Sequence, residues 1–355
     1  MPVHTLDPVL VRGHRLPIVP LELDRGSRLL NARYGAAAVS DGDYIYVIGG
    51  ANSQRVCLDD IERFNVRTKL SEHYGRLHTA RRLHGAVLAD GKIYVLGGYR
   101  DLLPQAPAAD AFTDSVEIID LATGKINEGP PMPVAKAQFA AAFVDGKIYT
   151  IGGILKRGVS LIAIVSTNTA EVYDLATAKW SKGIPMPTPR QSPAVVVTGF
   201  IVVPGGQSGV RQVTDVEVFN PREKIWRILP KLDQPVSMHS VVFLDHYLFL
   251  FDRNRVTAYE LNTKEAATYP LDYRAARFTA AVVNQGKIYV LGGSLATSDP
   301  TEDYSDFNVD GPPPNVRDIP RGALAGKGDP FDDAEAIDTI QVFELRPGDS
   351  GAGQH

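Results

Sequence analysis

DGKIYVLGG at 90–98 recurs as DGDYIYVIGG at 41–50, DGKIYTIGG at 145–153 and QGKIYVLGG at 285–293. Two weaker copies, GFIVVPGG at 199–206 and DHYLFLFD at 245–252, stand between the third and the last of these. The closing residue pairs of successive copies lie 48, 55, 53, 46 and 41 residues apart, which makes six units of one repeat. Self-similarity at such a period is the mark of a repeat architecture in which each unit packs on its neighbours.

Each copy has a mechanical reading. The Asp-Gly or Gln-Gly tip supplies the positive-φ positions of a two-residue hairpin, and the β-rich run after it is a strand. The segments before the tips, AAAVS, GAVLA, AAAFV, AVVVT, SVVFL and AAVVN, are small and β-branched, as suits inner strands crowded near an axis. The glycine pair that follows lets backbones approach where side chains would collide. A third strand comes next, in DIERFN (60–65), SVEIID (115–120), AEVYDL (170–175), DVEVFN (215–220), RVTAYEL (255–261) and TIQVFEL (339–345). A fourth begins near Lys69, Lys125, Lys179, Lys224 and Lys264, carries Trp180 and Trp226 in two units, and leaves through proline-rich exits such as GPPMP and GIPMP. Four antiparallel strands per period make one blade of a propeller.

The Asp-Gly turn, the apolar run into Gly-Gly, the V-x-x-(Y/F)-(D/N) strand and the fourth-strand Trp together resemble kelch repeats, over roughly residues 15–345. The resemblance implies an all-β, six-bladed kelch-type β-propeller. Phe251 and Asp252 replace the glycine pair in blade five, and several blades lack the Trp. The last blade has only three strands before the polar tail 346–355, so the apolar segment RLPIVPLEL at 15–23 is expected to complete it, behind an N-terminal arm at 1–14. Closure of that kind removes exposed sheet edges.

Composition is that of a globular protein, with 44% hydrophobic and 22% charged residues. A net charge of −4 gives no global positive field for nucleic acid or an anionic membrane, so an anion site has to be local. A single cysteine, Cys57, excludes internal disulfides and a cysteine-based structural zinc site. The first residues, MPVHTLDPVL, lack the pattern of a signal peptide, and no apolar run is long enough to span a bilayer, so a cytoplasmic location is expected.

Strand direction sorts the loops. With strand one running down to the Asp-Gly tip, the loops after the glycine pairs and the links between blades share the upper face, and these are the connections that vary in length. The largest covers 294–336, and smaller ones cover 99–114 and 154–169, the latter apolar around Leu161–Val165. Long loops on one face of a rigid scaffold are where binding residues are expected.

Counting eight residues back from each tip gives Arg33, Arg82, Ala137, Arg190, Ser237 and Arg277. The next two positions inward add Tyr34, Gln138 and Gln191, then His84 and His239. Arg33, Tyr34, Arg82, His84, Gln138, Arg190, Gln191, His239 and Arg277 are therefore the candidate ligand-binding residues, a funnel suited to bidentate capture of a carboxylate or phosphate. The resemblance implies a competing role for the arginines, tying blades together through carboxylates.

No GxSxG elbow, HExxH helix, P-loop or dinucleotide fingerprint is present, and the glycine pairs end strands rather than open helices. No organic cofactor is expected. Asp306, Asn308, Asp310 and Gly311 spell the opening of a calcium loop, but Arg317 stands where its closing glutamate belongs. Calcium is the one cation these residues point to. The resemblance implies a binding module for a protein, peptide, anionic small molecule or sugar. Its alternatives are an isomerase similar to the bacterial sialic-acid mutarotases, which are stand-alone six-bladed kelch propellers, or a biosynthetic accessory enzyme.

Overall fold

In the computed structural model the described residues are 10–11, 14–21, 27–101, 111–156, 164–209, 211–271, 277–295 and 335–346. They form six four-stranded antiparallel sheets arranged in a closed ring. Blade one is Ala37–Asp41, Tyr44–Ile48, Asp60–Asn65 and Leu70–Arg76. Blade two is Gly85–Ala89, Lys92–Leu96, Val116–Asp120 and Ile126–Gly129, and blade three is Ala140–Val144, Lys147–Ile151, Ala170–Asp174 and Lys179–Lys182. Blade four is Val195–Val197, Phe200–Pro204, Val216–Asn220 and Ile225–Leu229, and blade five is Ser240–Leu244, Tyr247–Asp252, Arg255–Glu260 and Ala266–Pro270.

Blade six takes three strands from one end of the chain, Ala280–Asn284, Lys287–Leu291 and Ile340–Leu345, and its outer strand from the other. Ile18–Leu21 pairs antiparallel with Leu345–Val342, as the unassigned apolar segment near the N-terminus led one to expect. Burial of Ile18 against Phe251 and Phe343 holds that strand in place.

The core is six layers, one at each junction between neighbouring blades. Val39, Ile48 and Ile61 of blade one meet Ile93, Val95 and Ile119 of blade two, and the other five junctions repeat the arrangement. The fourth-strand tryptophans reach across such junctions. Trp180 stacks on Tyr173 and donates from Nε1 to the Pro130 carbonyl of blade two at 2.9 Å. Trp226 does the same with Phe219 and the Ile184 carbonyl of blade three at 3.2 Å.

The glycine pairs mark where one blade's backbone passes against the next. The second glycine donates to a carbonyl of the following blade: Gly50 to Arg81, Gly98 to Lys136, Gly153 to Arg190, Gly206 to Val236 and Gly293 to Arg33. A Cβ on Gly152, whose φ is +65°, would stand 2.5 Å from the Arg190 carbonyl oxygen. Blade five lacks the pair, and there the second strand runs through Asp252 and turns back tightly at Arg255.

Candidate functional site

The head of each inner strand carries the site. Two neighbouring positions matter there, and the structure separates residues that counting from the tips had merged. In blade one the hairpin turn is Gly42-Asp43, because Asp41 still pairs with Tyr44, whereas in blade two it is Asp90-Gly91. Blade four is one residue short between the head of its inner strand and the strand itself. Backbone pairing gives the true equivalence: Tyr34 with Ala51, Arg82 with Tyr99, Ala137 with Ile154, Gln191 with Gln207 and Arg277 with Ser294. Arg33 and Arg190 thus stand one position away from Arg82 and Arg277, and the four arginines do not form one ring.

The ring that does exist is Arg33, Arg81, Lys136 and Arg190. Each side chain is fully or almost fully buried and ion-paired to a glutamate on the third strand of its own blade. Arg33 meets Asp60 and Glu62, Arg81 meets Glu117 at 2.7 Å, Lys136 meets Glu171 at 2.5 Å, and Arg190 meets Glu217 at 2.9 Å. The guanidinium of Arg33 also donates to the Gly49 carbonyl, and that of Arg81 to the Gly97 carbonyl. Glu62 accepts from the Leu30 and Asn31 amides, and Glu117 from those of His78 and Thr79. In blade five the equivalent positions are Val236 and Thr257, so both charges are absent together. Arg33 and Arg190 are structural ties between strands, and their buried positions leave no side for a ligand.

Inward of this ring lies a cavity of about 130 Å³ at the upper end of the channel. Its wall includes His84, Gln138, Gln191, Ser192, His239 and Thr279, together with Leu83, Met238 and Phe278. Of the nine sequence candidates the structure brings His84, Gln138, Gln191 and His239 together here. Tyr34, Arg82 and Arg277 stand outside the wall. Arg82 donates to the Tyr34 hydroxyl at 2.9 Å and lies over the Tyr99 ring. Asp306, Asn308 and Asp310 lie outside the described residues, as do most of 294–336 and the tail beyond Arg346. Among the described residues no cluster of three metal-ligating side chains occurs.

His84 and His239 come from blades two and five, opposite each other in a ring of six. Both are more than nine-tenths buried. Desolvation, with the charge of Arg81 adding to it, pushes His84 down to about 3. Desolvation likewise takes His239 to about 3, with the Pro204 carbonyl opposing weakly and Arg190 reinforcing. That carbonyl lies near His239 without a hydrogen bond of normal geometry, and neither ring nitrogen of either histidine is paired. The Gln191 Oε1 is likewise buried and unpaired. The wall is polar yet carries no formal charge at neutral pH.

One repeat position on this wall is held in the left-handed region. Gly35 takes it in blade one at φ 63°, but Leu83, Gln138, Met238 and Phe278 take it with full side chains at φ 52–55°. Such a residue costs about 1–2 kcal/mol. Blade-to-blade hydrogen bonds fix them: Leu83 donates to Gly35, Gln138 to Leu83, Gly35 to Phe278, and Phe278 to Met238, all at 2.7–2.9 Å.

Tip counting missed Arg81, Lys136 and the four glutamates. The glutamate recurring at one place in the third strand of blades one to four was the available signal. Cys57 is buried, its thiol pushed up to about 12 chiefly by desolvation, and it donates to the Tyr99 carbonyl. No helix of the described residues is long and apolar enough to cross a membrane.

Comparison with known proteins agrees with this architecture. The kelch motif model matches residues 32–71, 80–133, 135–187 and 190–232, together more than half of the chain. The chain is similar to the kelch-like protein terF of Aspergillus terreus, 34% identical over 165 residues, which is 44% of this chain and 35% of that protein. It is also similar to the kelch repeat and BTB domain-containing protein 12 of Danio rerio, 29% identical over 216 residues, 55% of this chain and 34% of that one. The kelch-like protein 40 of Mus musculus is 26% identical over 151 residues, 42% and 23% of the two chains. The matches thus span about a third or less of these curated relatives. With six blades, the glycine-pair junctions and four matched motifs, the chain belongs to the kelch-repeat propeller family.

Proposed function

We propose that this propeller is a protein-binding module that receives its partner on the upper face. Kelch propellers are generally of this kind, and the observation that carries the reading here is the build of the two faces. Below, the strands are joined by short turns, of two residues between first and second strands and of four to six between third and fourth. Above, Ile154–Lys156 pairs with Ile164–Ser166 and Gln207–Ser208 with Arg211–Gln212, two hairpins rising from neighbouring blades. The Gly209 amide donates to the Ser166 hydroxyl at 3.0 Å and ties them into one wall beside the channel mouth. A partner laid along that wall finds a preformed surface.

An anionic ligand or a carboxylated sugar draws less support. Arg33 and Arg190 are spent on glutamates, and the cavity wall holds no charged side chain. A histidine held near 3 is also a poor proton carrier at neutral pH, which favours binding over a mutarotase-like reaction.

The test is capture from the source lysate on three immobilised proteins: the native propeller, one with Ser208–Gln212 replaced by a two-residue turn, and one with the lower turns reversed in charge. A protein retained by the first and third but lost from the second supports the reading. Equal retention by all three overturns it. Titration of N-acetylneuraminate and phosphate in a thermal-shift assay decides the anion reading, which a flat melting temperature removes.

A further inference from the structure

The ring of hydrogen bonds around the channel mouth is incomplete, and the break has a definite chemistry. In blades one, two, three, five and six the left-handed residue sits between the two neighbouring ones. Wherever two neighbouring blades both carry one, the amide of one donates to the carbonyl of that in the preceding blade, which gives four bonds: Gly35 to Phe278, Leu83 to Gly35, Gln138 to Leu83 and Phe278 to Met238. Blade four has no such residue: Gln191 at the bridging position is followed directly by Ser192 and Pro193. Its inner strand is also short, because Pro193 and Pro204 face each other where the other blades form a pair, and neither proline has an N–H. The Ser192 hydroxyl supplies the missing donor to the Pro204 carbonyl at 2.9 Å.

Two backbone groups are left over. By the order of the ring, the Gln138 carbonyl of blade three awaits an N–H from blade four, and the Met238 amide of blade five awaits a carbonyl from it. Neither finds a partner among the described residues, and both residues line the same cavity. Gln138 and Met238 are half-buried, so these groups are within reach of a molecule that enters the cavity. Beside the break stand the unpaired Oε1 of Gln191 and the unpaired imidazole of His239, which lies near the Pro204 carbonyl of blade four.

We propose that this break is a binding site for a carboxamide group. Its N–H donates to the Gln138 carbonyl and its C=O accepts from the Met238 amide, in place of the N–H and C=O that a left-handed residue of blade four would supply. An amide presents one donor and one acceptor and no charge, which matches a wall whose two leftover backbone groups are one acceptor and one donor. A carboxylate would set an acceptor against the Gln138 carbonyl and bring a charge to a wall with no cation. The cavity of about 130 Å³ is close to the ~150 Å³ that holds one benzene-sized molecule. The amide can belong to a free small molecule or to an Asn or Gln side chain of a partner. Only the second source rests on the upper-face reading.

The chain has three internal methionines, Met132, Met186 and Met238, so methionine-selective ¹⁵N labelling reads the site directly. Titration with N-methylacetamide is expected to move the Met238 amide signal and leave Met132 and Met186 in place. Methyl acetate, which lacks the N–H, is expected to need at least several-fold higher concentration. A Met238 signal that ignores the amide, or follows the ester equally, overturns the proposal. Insertion of Gly between Gln191 and Ser192 completes the ring and is expected to abolish the response. Q191L, which leaves the backbone alone, is expected to weaken it several-fold, and an unchanged Q191L titration overturns the assigned site. A blocked Gly-Gln-Gly peptide saturating Met238 well below N-methylacetamide assigns the amide to a partner chain, and equal concentrations assign it to a free molecule. Loss of lysate capture leaves these readings untouched, so the two proposals fail separately.

Discussion

Glu117 shows how charge can be buried here without a ligand. Two backbone amides and the Arg81 guanidinium surround its carboxylate, and removing one partner strands the other in a dry interior. E117Q is expected to cost about 3–5 kcal/mol in urea unfolding, in line with broken buried pairs. The double replacement Arg81→Val with Glu117→Thr copies what blade five carries at Val236 and Thr257, and should recover most of that loss. The histidines of the cavity give a second residue-scale expectation. Their folded pKa lies below the unfolded value, so below pH ~6.5 the unfolded chain takes up protons that the folded chain refuses. Stability is then complete above that pH and falls as pH drops toward 3. The slope approaches about 1.4 kcal/mol per pH unit for each histidine. The double variant H84Q with H239Q should flatten the change in unfolding free energy between pH 7 and pH 5.

At the scale of strands and junctions, the glycine pair is the most constrained feature. G152A forces a left-handed alanine and sets its methyl against the Arg190 carbonyl, so its melting temperature should fall well below that of G146A, whose site has open space around it. These local features are why the blades were legible: a turn, a strand and a glycine pair each leave a mark within a dozen residues. The site was legible only in part. His84, Gln138, Gln191 and His239 were found because they stand at matching distances from their tips. Arg33 and Arg190 were grouped with Arg82 and Arg277 because a one-residue shift in the turn of blade one and a one-residue deletion in blade four each move the count from the tip by one residue. Only hydrogen-bond pairing reveals that shift, and pairing is a property of the folded sheet. The break in the ring was hidden for the same reason, since four of the five left-handed positions carry ordinary side chains instead of glycine.

Across the whole molecule, closure decides stability. Six apolar layers share the core, and the layer between blades five and six depends on Ile18. Removal of residues 1–21 should lower the melting temperature and leave the Ile340–Leu345 strand as an open edge, visible as self-association in size-exclusion chromatography. The same closing strand sets a clock. Its partner is the last strand of the propeller, so during synthesis the first apolar strand emerges long before anything exists to pair with it. Blades one to five can assemble on local contacts, but the circle stays unlocked until the final blade has left the ribosome. For that interval Ile18–Leu21 is an unpaired strand beside an unsealed ring, and a helper that shields it would act on the nascent chain rather than on the finished protein.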